Sequence, residues 1–294
     1  MKAKPHERKQ TLTGRVEGKV IVVTGAASGI GLGTVERLIE EGACIVAADI
    51  QDEKGMQLEA RFKDKLAYLH CDVTDEAQIK AVMALAVARF GGLDGLFNNA
   101  GQVGTMSPLE EISVDGWRAI QDLLVTSVFL GTKHAIAPMS ARGGGSIVNT
   151  ASIAALEAGW GPVAYSTAKA GVLHFSKVAA AELAAKKIRV NAICPGLIAT
   201  SIFGNALGMP VEQADQLAAF VGQVGHAIQP VGRAGLPSDI GEAVVMLMSD
   251  AGSFITGTHF VIDGGITMGP RHAWDPTVVS PLAALLGYVE NGQT

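Results

Sequence analysis

Between Lys19 and Asp49 the chain reads as strand, glycine-rich turn, helix and strand, and no other stretch narrows the fold as far. KVIVVT (19–24) and ACIVAA (43–48) are near-continuous apolar runs, the pattern of strands buried on both faces of a parallel sheet. The turn GAASGIG lies between the first run and a helical pattern reaching Glu41. Its glycines, Gly25, Gly29 and Gly31, let backbone come close to a pyrophosphate at a helix N-terminus. Their spacing departs from G-x-G-x-x-G, but the position is the same. Asp49 ends the second run, where a carboxylate accepts from a ribose 2′-hydroxyl and repels a 2′-phosphate. No Lys or Arg lies in GAASGIG, and Ile50 and Gln51 follow Asp49, so NAD is expected rather than NADP. Taken alone, these residues also fit a structural turn with no ligand.

Strand and helix keep alternating along the chain. Leu66–His70 and Leu93–Phe97 read as strands, with an amphipathic helix at Asp75–Phe90 between them. A long helical region covers about Val114–Met139, a strand starts at Ser146, a helix runs from Tyr165 to Lys187, and a strand follows at Ile188–Ile193. Residues 200–230 break the rhythm and read as a lid. Pro237–Met248 is a last helix and His259–Ile262 a final strand closed by DGG. The expected fold is α/β, a single-domain, doubly wound parallel sheet with helices on both faces. It should span 18–268, between extensions at 1–17 and 269–294.

Tyr165 and Lys169 are four residues apart near the start of a helix, so their side chains share one face. A phenol has a pKa near 10, and a nearby ammonium favours the phenolate. Such a tyrosine can take a proton from an alcohol or return it to a ketone. Ser152, just past the preceding strand, can hydrogen-bond the same oxygen. Alone, Tyr-x-x-x-Lys is a common surface pair. It gains meaning from the dinucleotide turn upstream.

Composition removes other classes. A formal net charge of -5 argues against a nucleic-acid surface. Cys44, Cys71 and Cys194 are widely spaced, with no Cys-x-x-Cys, and no His-x-x-x-His occurs, so thiols and no metal site are expected. MKAKPHERKQ lacks the apolar core of a signal peptide, and no run is long enough to span a membrane, so a cytoplasmic protein is expected.

Together these motifs resemble the short-chain dehydrogenase/reductase family over roughly residues 18–268. They are TGAASGIG (24–31), Asp49, Asp72–Val73, NNAG (98–101), Ser152, YSTAK (165–169), Pro195–Gly196 with Thr200, and the closing TG and DGG. The resemblance implies Tyr165 as general acid/base, Lys169 lowering its pKa and binding the nicotinamide ribose, and Ser152 holding the substrate oxygen. It implies Gly25, Ser28, Gly29, Ile30, Gly31, Asp49 and Ile50 around the adenosine and pyrophosphate, and Asp72 and Val73 at the adenine. It implies Asn98, Ala100 and Gly101 along the cofactor channel, with Pro195, Gly196, Ile198 and Thr200 near the carboxamide. It also implies a homo-oligomer, tetramer or dimer.

One position departs. Where the family usually has an asparagine seven residues after a tryptophan like Trp117, this chain has Leu124. In relatives that asparagine helps hold a water linking the lysine to solvent, and leucine makes no hydrogen bond. Three readings follow: a detour through Thr126 or Ser127, slow turnover, or a non-catalytic NAD(H)-binding protein.

The substrate side should be built from Val103, Met106, Ile153, Leu156, Trp160, Leu197, Ile202, Phe203, Leu207, Met209, Leu217 and Phe220, with Gln102, Glu157 or His226 adding a polar contact. An apolar set of this kind suits a small hydrophobic alcohol or ketone, steroid, alicyclic or aryl. The expected activity is hydride transfer between NAD(H) and such a substrate.

Overall fold

The computed structural model describes residues 14–290, except 203 and 205–207. Phe203, Leu207, most of the N-terminal extension and the side chain of His226 therefore lie outside the described residues.

Seven strands form one parallel sheet in the order β3-β2-β1-β4-β5-β6-β7. They are β1 (Val20–Thr24), β2 (Cys44–Asp49), β3 (Leu66–His70), β4 (Gly95–Asn98), β5 (Gly145–Thr150), β6 (Ile188–Pro195) and β7 (His259–Ile262). The helices are α1 (Gly29–Glu40), α2 (Asp52–Phe62), α3 (Glu76–Phe90), α4 (Val114–Gln121), α5 (Ser127–Ala141), α6 (Val163–Leu183), α7 (Val211–Val224), α8 (Pro237–Met248) and α9 (Pro281–Glu290). The expected doubly wound fold is the observed one.

The continuous apolar runs are explained by burial on both faces. Along β1, Ile21 and Val23 join a core with Val35 and Leu38 of α1 and Val244 and Leu247 of α8. Val20 and Val22 join the opposite core, with Ile79 and Val82 of α3 and Leu183 of α6. Alternation thus sends successive residues to two cores, and neither face can be polar.

The long helical region expected at 114–139 is two helices joined by a π turn at Asp122–Thr126. Such a turn takes one more residue per hydrogen-bonded ring and often sits at a functional site. Hydrophobic periodicity does not reveal it, because the pattern continues through the turn.

The start of the described chain is tied down by ion pairs. Arg15 donates to Glu41 at 2.7 Å and to Glu242 of α8 at 2.6 Å. Arg37 of α1 reaches both carboxylates, at 3.1 Å and 2.9 Å. Glu41 is buried, its side chain only 3% exposed, and its hydrogen bond from Arg15 holds its pKa down to about 2. A depressed carboxylate contributes stability that is present above its unfolded value, near 4.5, and is lost as pH falls through about 2. Glu41→Gln should therefore cost about 2–3 kcal/mol at pH 7 in urea unfolding, with the gap to wild type closing between pH 4.5 and 2. A gap that stays constant across that range would show that the pair is not the source of the stability.

Candidate active site

The site lies along the carboxyl edge of the sheet, where β1 and β4 are neighbours and their following segments leave to opposite faces. Gly25 (φ +63°) and Gly29 (φ +51°) hold left-handed backbone that side chains resist. A Cβ on Gly31 would stand 1.8 Å from the Gly25 carbonyl oxygen, so helix and turn touch there with no room for a side chain. Ser28 precedes α1, yet its hydroxyl caps none of the helix N–H groups and accepts instead from the Gln51 amide at 3.2 Å. The positive end of α1 is thus left to an external anion.

A cavity of about 1090 Å³ runs from this turn to the start of α6. That is slightly above the roughly 300–1,000 Å³ usual for small-molecule sites, room for a dinucleotide with a substrate beside it. Of the residues expected at the cofactor, Gly25, Ser28, Gly29, Ile30, Asp49, Ile50, Asp72, Val73, Ala100, Gly101, Pro195, Gly196, Ile198 and Thr200 line it.

Asp49 is 5% exposed and already oriented: one carboxylate oxygen accepts from the Ala27 N–H at 2.9 Å, the other from the Gln51 N–H at 3.0 Å. A fixed, buried negative charge at the mouth of the turn fits a ribose diol and opposes a phosphate. Asp72 accepts from the Thr74 hydroxyl at 2.7 Å and closes its own turn.

Two expected contacts are placed elsewhere. Gly31 lies behind the turn. Asn98 is buried under the cavity floor, where its amide donates to Asn149 at 2.8 Å, and Asn149 donates to Ser176. The neighbouring Asn99 lines the cavity and pins the turn by donating to the carbonyls of Thr24 (3.1 Å) and Gly25 (3.2 Å). Gln51, Thr74 and Thr150 also line it, and sequence reasoning did not single them out.

At the far end Ser152, Tyr165 and Lys169 meet on the cavity wall. Ser152 accepts from the Ala154 N–H at 3.1 Å, which leaves its own proton for another oxygen, and the Tyr165 phenol is within its reach. Lys169 is 4% exposed and donates to the Thr150 carbonyl at 2.7 Å, with Nζ 5.7 Å from the Tyr165 ring centre. Burial dominates both titrations: it raises the phenol above its ordinary value, partly offset by Ser152, and lowers the amine to about 8. The expected lowering of Tyr165 by Lys169 is therefore not the ruling effect in the protein alone. Cys194 is beneath the pair, its thiol pushed up to about 11 by burial.

Leu124, in the π turn, is 1% exposed and packs with Ile120, Ala164 and Ala168 beside Tyr165. A Cβ on Gly101 would meet its methyl at 2.7 Å and Lys169 Nζ at 3.9 Å, so the leucine fills the space next to the ammonium. The hydroxyls offered for a detour, Thr126 and Ser127, both point their protons within their own helix. Thr126 is exposed and donates to Asp122 at 3.1 Å, while Ser127 donates to the Leu123 carbonyl at 2.5 Å. Both hydroxyls are engaged within their own helix.

Of the expected substrate residues, Val103, Met106, Ile153, Trp160, Leu197, Ile202 and Gln102 line the cavity. Leu156, Glu157, Met209, Leu217 and Phe220 do not line it. Among the described residues no cluster suits a metal ion, and no helix is long and apolar enough to cross a membrane.

Known proteins similar to this chain are named as reductases and dehydrogenases. Residues 25–267 match a family model described as enoyl-(acyl carrier protein) reductase. The chain is 41% identical over 253 residues to a 2,5-dichloro-2,5-cyclohexadiene-1,4-diol dehydrogenase of Sphingobium indicum, covering 86% of this chain and 98% of the relative. It is 40% identical over 252 residues to a cis-4-hydroxycyclohexanecarboxylate dehydrogenase of Sinomonas cyclohexanicum, covering 85% and 96%. It is 38% identical over 263 residues to a 3-alpha-(or 20-beta)-hydroxysteroid dehydrogenase of Mycobacterium tuberculosis, covering 89% and 94%.

The buried lysine carries a stability consequence of its own. An unfolded lysine keeps its proton to about pH 10.5, whereas Lys169 releases it near 8, so the unfolded chain binds more protons between those values and stability rises with pH there. Lys169→Met should be more stable than wild type by about 1–2 kcal/mol at pH 7, and the difference should vanish by pH 10.5. A destabilised Lys169→Met at pH 7 in denaturant titrations would mean the ammonium is better solvated than its burial implies.

Proposed function

The chain belongs to the short-chain dehydrogenase/reductase family, and from that premise we propose that it is an NAD-dependent alcohol dehydrogenase or ketoreductase acting on hydrophobic cyclic secondary alcohols and ketones. An oxidoreductase acting on cyclic alcohols is what the relatives support; the finer reading rests on the meeting of Ser152, Tyr165 and Lys169 on the wall of the cavity that Asp49 closes. A carrier that only binds NAD(H) has no use for all three, so the enzyme reading stands above the binding-protein alternative despite Leu124.

The cofactor fits the chain on its own terms: an uncapped helix N-terminus for pyrophosphate, a fixed carboxylate for ribose, and apolar Val73 and Ile198 along the wall. When bound, a nicotinamide supplies the two-electron acceptor or donor for the substrate carbon. Ser152 donates to the substrate oxygen and holds it beside the phenol. Tyr165 accepts the hydroxyl proton in oxidation and returns it in reduction. Lys169, fixed by Thr150, supplies positive charge next to the developing phenolate. The buried phenol favours its neutral form by itself, so the phenolate depends on that neighbouring charge. The wall formed by Val103, Met106, Ile153 and Trp160 takes the ring.

Tyr165→Phe should lower kcat on cyclohexanol roughly 10³-fold while NAD binding, read by protein fluorescence, shifts only a few-fold. Turnover within tenfold of wild type would sink the proposed acid/base role. Asp49→Ser should remove the barrier to a 2′-phosphate, raising kcat/KM for NADP by roughly tenfold or more and lowering it for NAD. An unchanged cofactor ratio would mean that another group sets the preference.

A further inference from the structure

Three segments, 101–109, 151–163 and 195–202, build most of the substrate end of the cavity, with Ala119, Ile120 and Leu123 beside them; the nearby exposed Arg118 is already paired with Asp115 at 3.6 Å. Together the three segments contain no Lys and no Arg, and their single charged residue is Glu157. Glu110 and Glu111 directly follow the first segment, and all three carboxylates are exposed. Among the described residues, the charged residues on the cavity wall itself are Asp49, Asp72 and Lys169. The first two lie at the adenosine end, and the lysine is engaged with Thr150 beside the reacting oxygen.

A ring bearing a carboxylate or phosphate would therefore lose its hydration without gaining a cation, and would face acidic side chains at the approach. Unpartnered polar groups on the cavity wall, among the described residues, include the buried Thr150 hydroxyl, the Ser201 hydroxyl and the exposed Gln102 amide. The Gln102 side-chain amide lines the cavity and has no hydrogen-bond partner among the described residues. By contrast, Thr105 and Ser107 nearby satisfy each other at 2.8 Å. An uncharged amide can donate to and accept from a second oxygen, but it cannot neutralise an anion.

We propose that the substrate is a neutral alicyclic ring carrying a second hydroxyl or carbonyl away from the reacting carbon, with Gln102 recognising that second oxygen and anionic rings excluded. This rests on the oxidoreductase reading above. The oxidation it implies is balanced within that reading: the carbinol carbon loses a hydride to NAD and its hydroxyl loses a proton to Tyr165. The second oxygen is bound and unchanged.

The test compares kcat/KM, followed by NADH formation, for four probes: cyclohexanol, cyclohexane-1,4-diol, 4-hydroxycyclohexanecarboxylate and its methyl ester. The diol should exceed cyclohexanol by roughly fivefold to tenfold, the value of one neutral hydrogen bond. The ester should exceed the carboxylate by roughly 50-fold or more, since an unpaired carboxylate is costly to bury. In Gln102→Leu the diol-to-cyclohexanol ratio should fall towards one. A carboxylate used as well as its ester, or a ratio that Gln102→Leu leaves unchanged, overturns the proposal while cyclohexanol oxidation keeps the activity reading intact. No oxidation of any probe with either cofactor overturns the activity reading and this proposal with it.

Discussion

The site depends on one topological constraint. β1 has β2 on one side and β4 on the other, and the chain leaves β1 towards one face and β4 towards the other. At that point no helix covers the carboxyl edge, and a crevice opens that the rest of the fold cannot fill. The glycine turn is the local consequence. Gly31 against the Gly25 carbonyl, and Gly25 against the Ala100 backbone, are backbone-to-backbone contacts that any side chain would push apart. Asn99 bonds across the same junction to Thr24 and Gly25. The two halves of the sheet are thereby locked at the spacing the crevice requires. The α1 N-terminus, Asp49 and the Ser152–Tyr165–Lys169 cluster take their places along one continuous wall.

Charge along that wall is sparse and unevenly placed. Negative charge is fixed at the glycine-turn end by two backbone N–H donors on Asp49. Positive charge sits at the other end on one buried amine. Because Tyr165 and Lys169 are both desolvated, each is driven towards its neutral form. The phenol is therefore not a strong base by itself. What the fold supplies is position: Ser152 sits within reach of the phenol on one side, and Thr150 holds the amine on the other. The substrate segments add almost no charge to this arrangement, so selectivity there rests on shape and on single polar contacts.

Sequence reasoning reached the sheet, the glycine turn, Asp49 and the Tyr165–Lys169 pair because each leaves a periodic or positional signature. Two-sided burial writes continuous apolar strands, and a shared helix face writes a four-residue spacing. It misplaced Asn98 because the side chains of Asn98 and Asn99 at a strand end point to opposite sides. Only the three-dimensional register shows that Asn98 joins the buried Asn149–Ser176 chain while Asn99 faces the cavity. It offered Thr126 and Ser127 as relay hydroxyls because composition shows hydroxyls but not where they are already engaged. The π turn that sets their directions has no hydrophobic signature. Of the described lid residues expected at the substrate, Ile202 lines the cavity and Met209, Leu217 and Phe220 do not, for a similar reason. α7 is amphipathic, and Phe220 lies on a face of it that does not line the cavity.

Leu124 and the low lysine pKa are best understood as one phenomenon. The leucine methyl fills the space bounded by Gly101 and the Lys169 ammonium, and it belongs to an apolar cluster with Ala164 and Ala168 of the same helix that carries the lysine. An asparagine there would offer the ammonium a polar neighbour; the leucine offers none. The amine keeps the Thr150 carbonyl as its partner, and desolvation sets its pKa near 8. The leucine is part of the apolar surroundings of the lysine, whose burial lowers its pKa to about 8. In this chain the departure at position 124 is a change in the electrostatics of the site as much as the loss of a hydrogen bond.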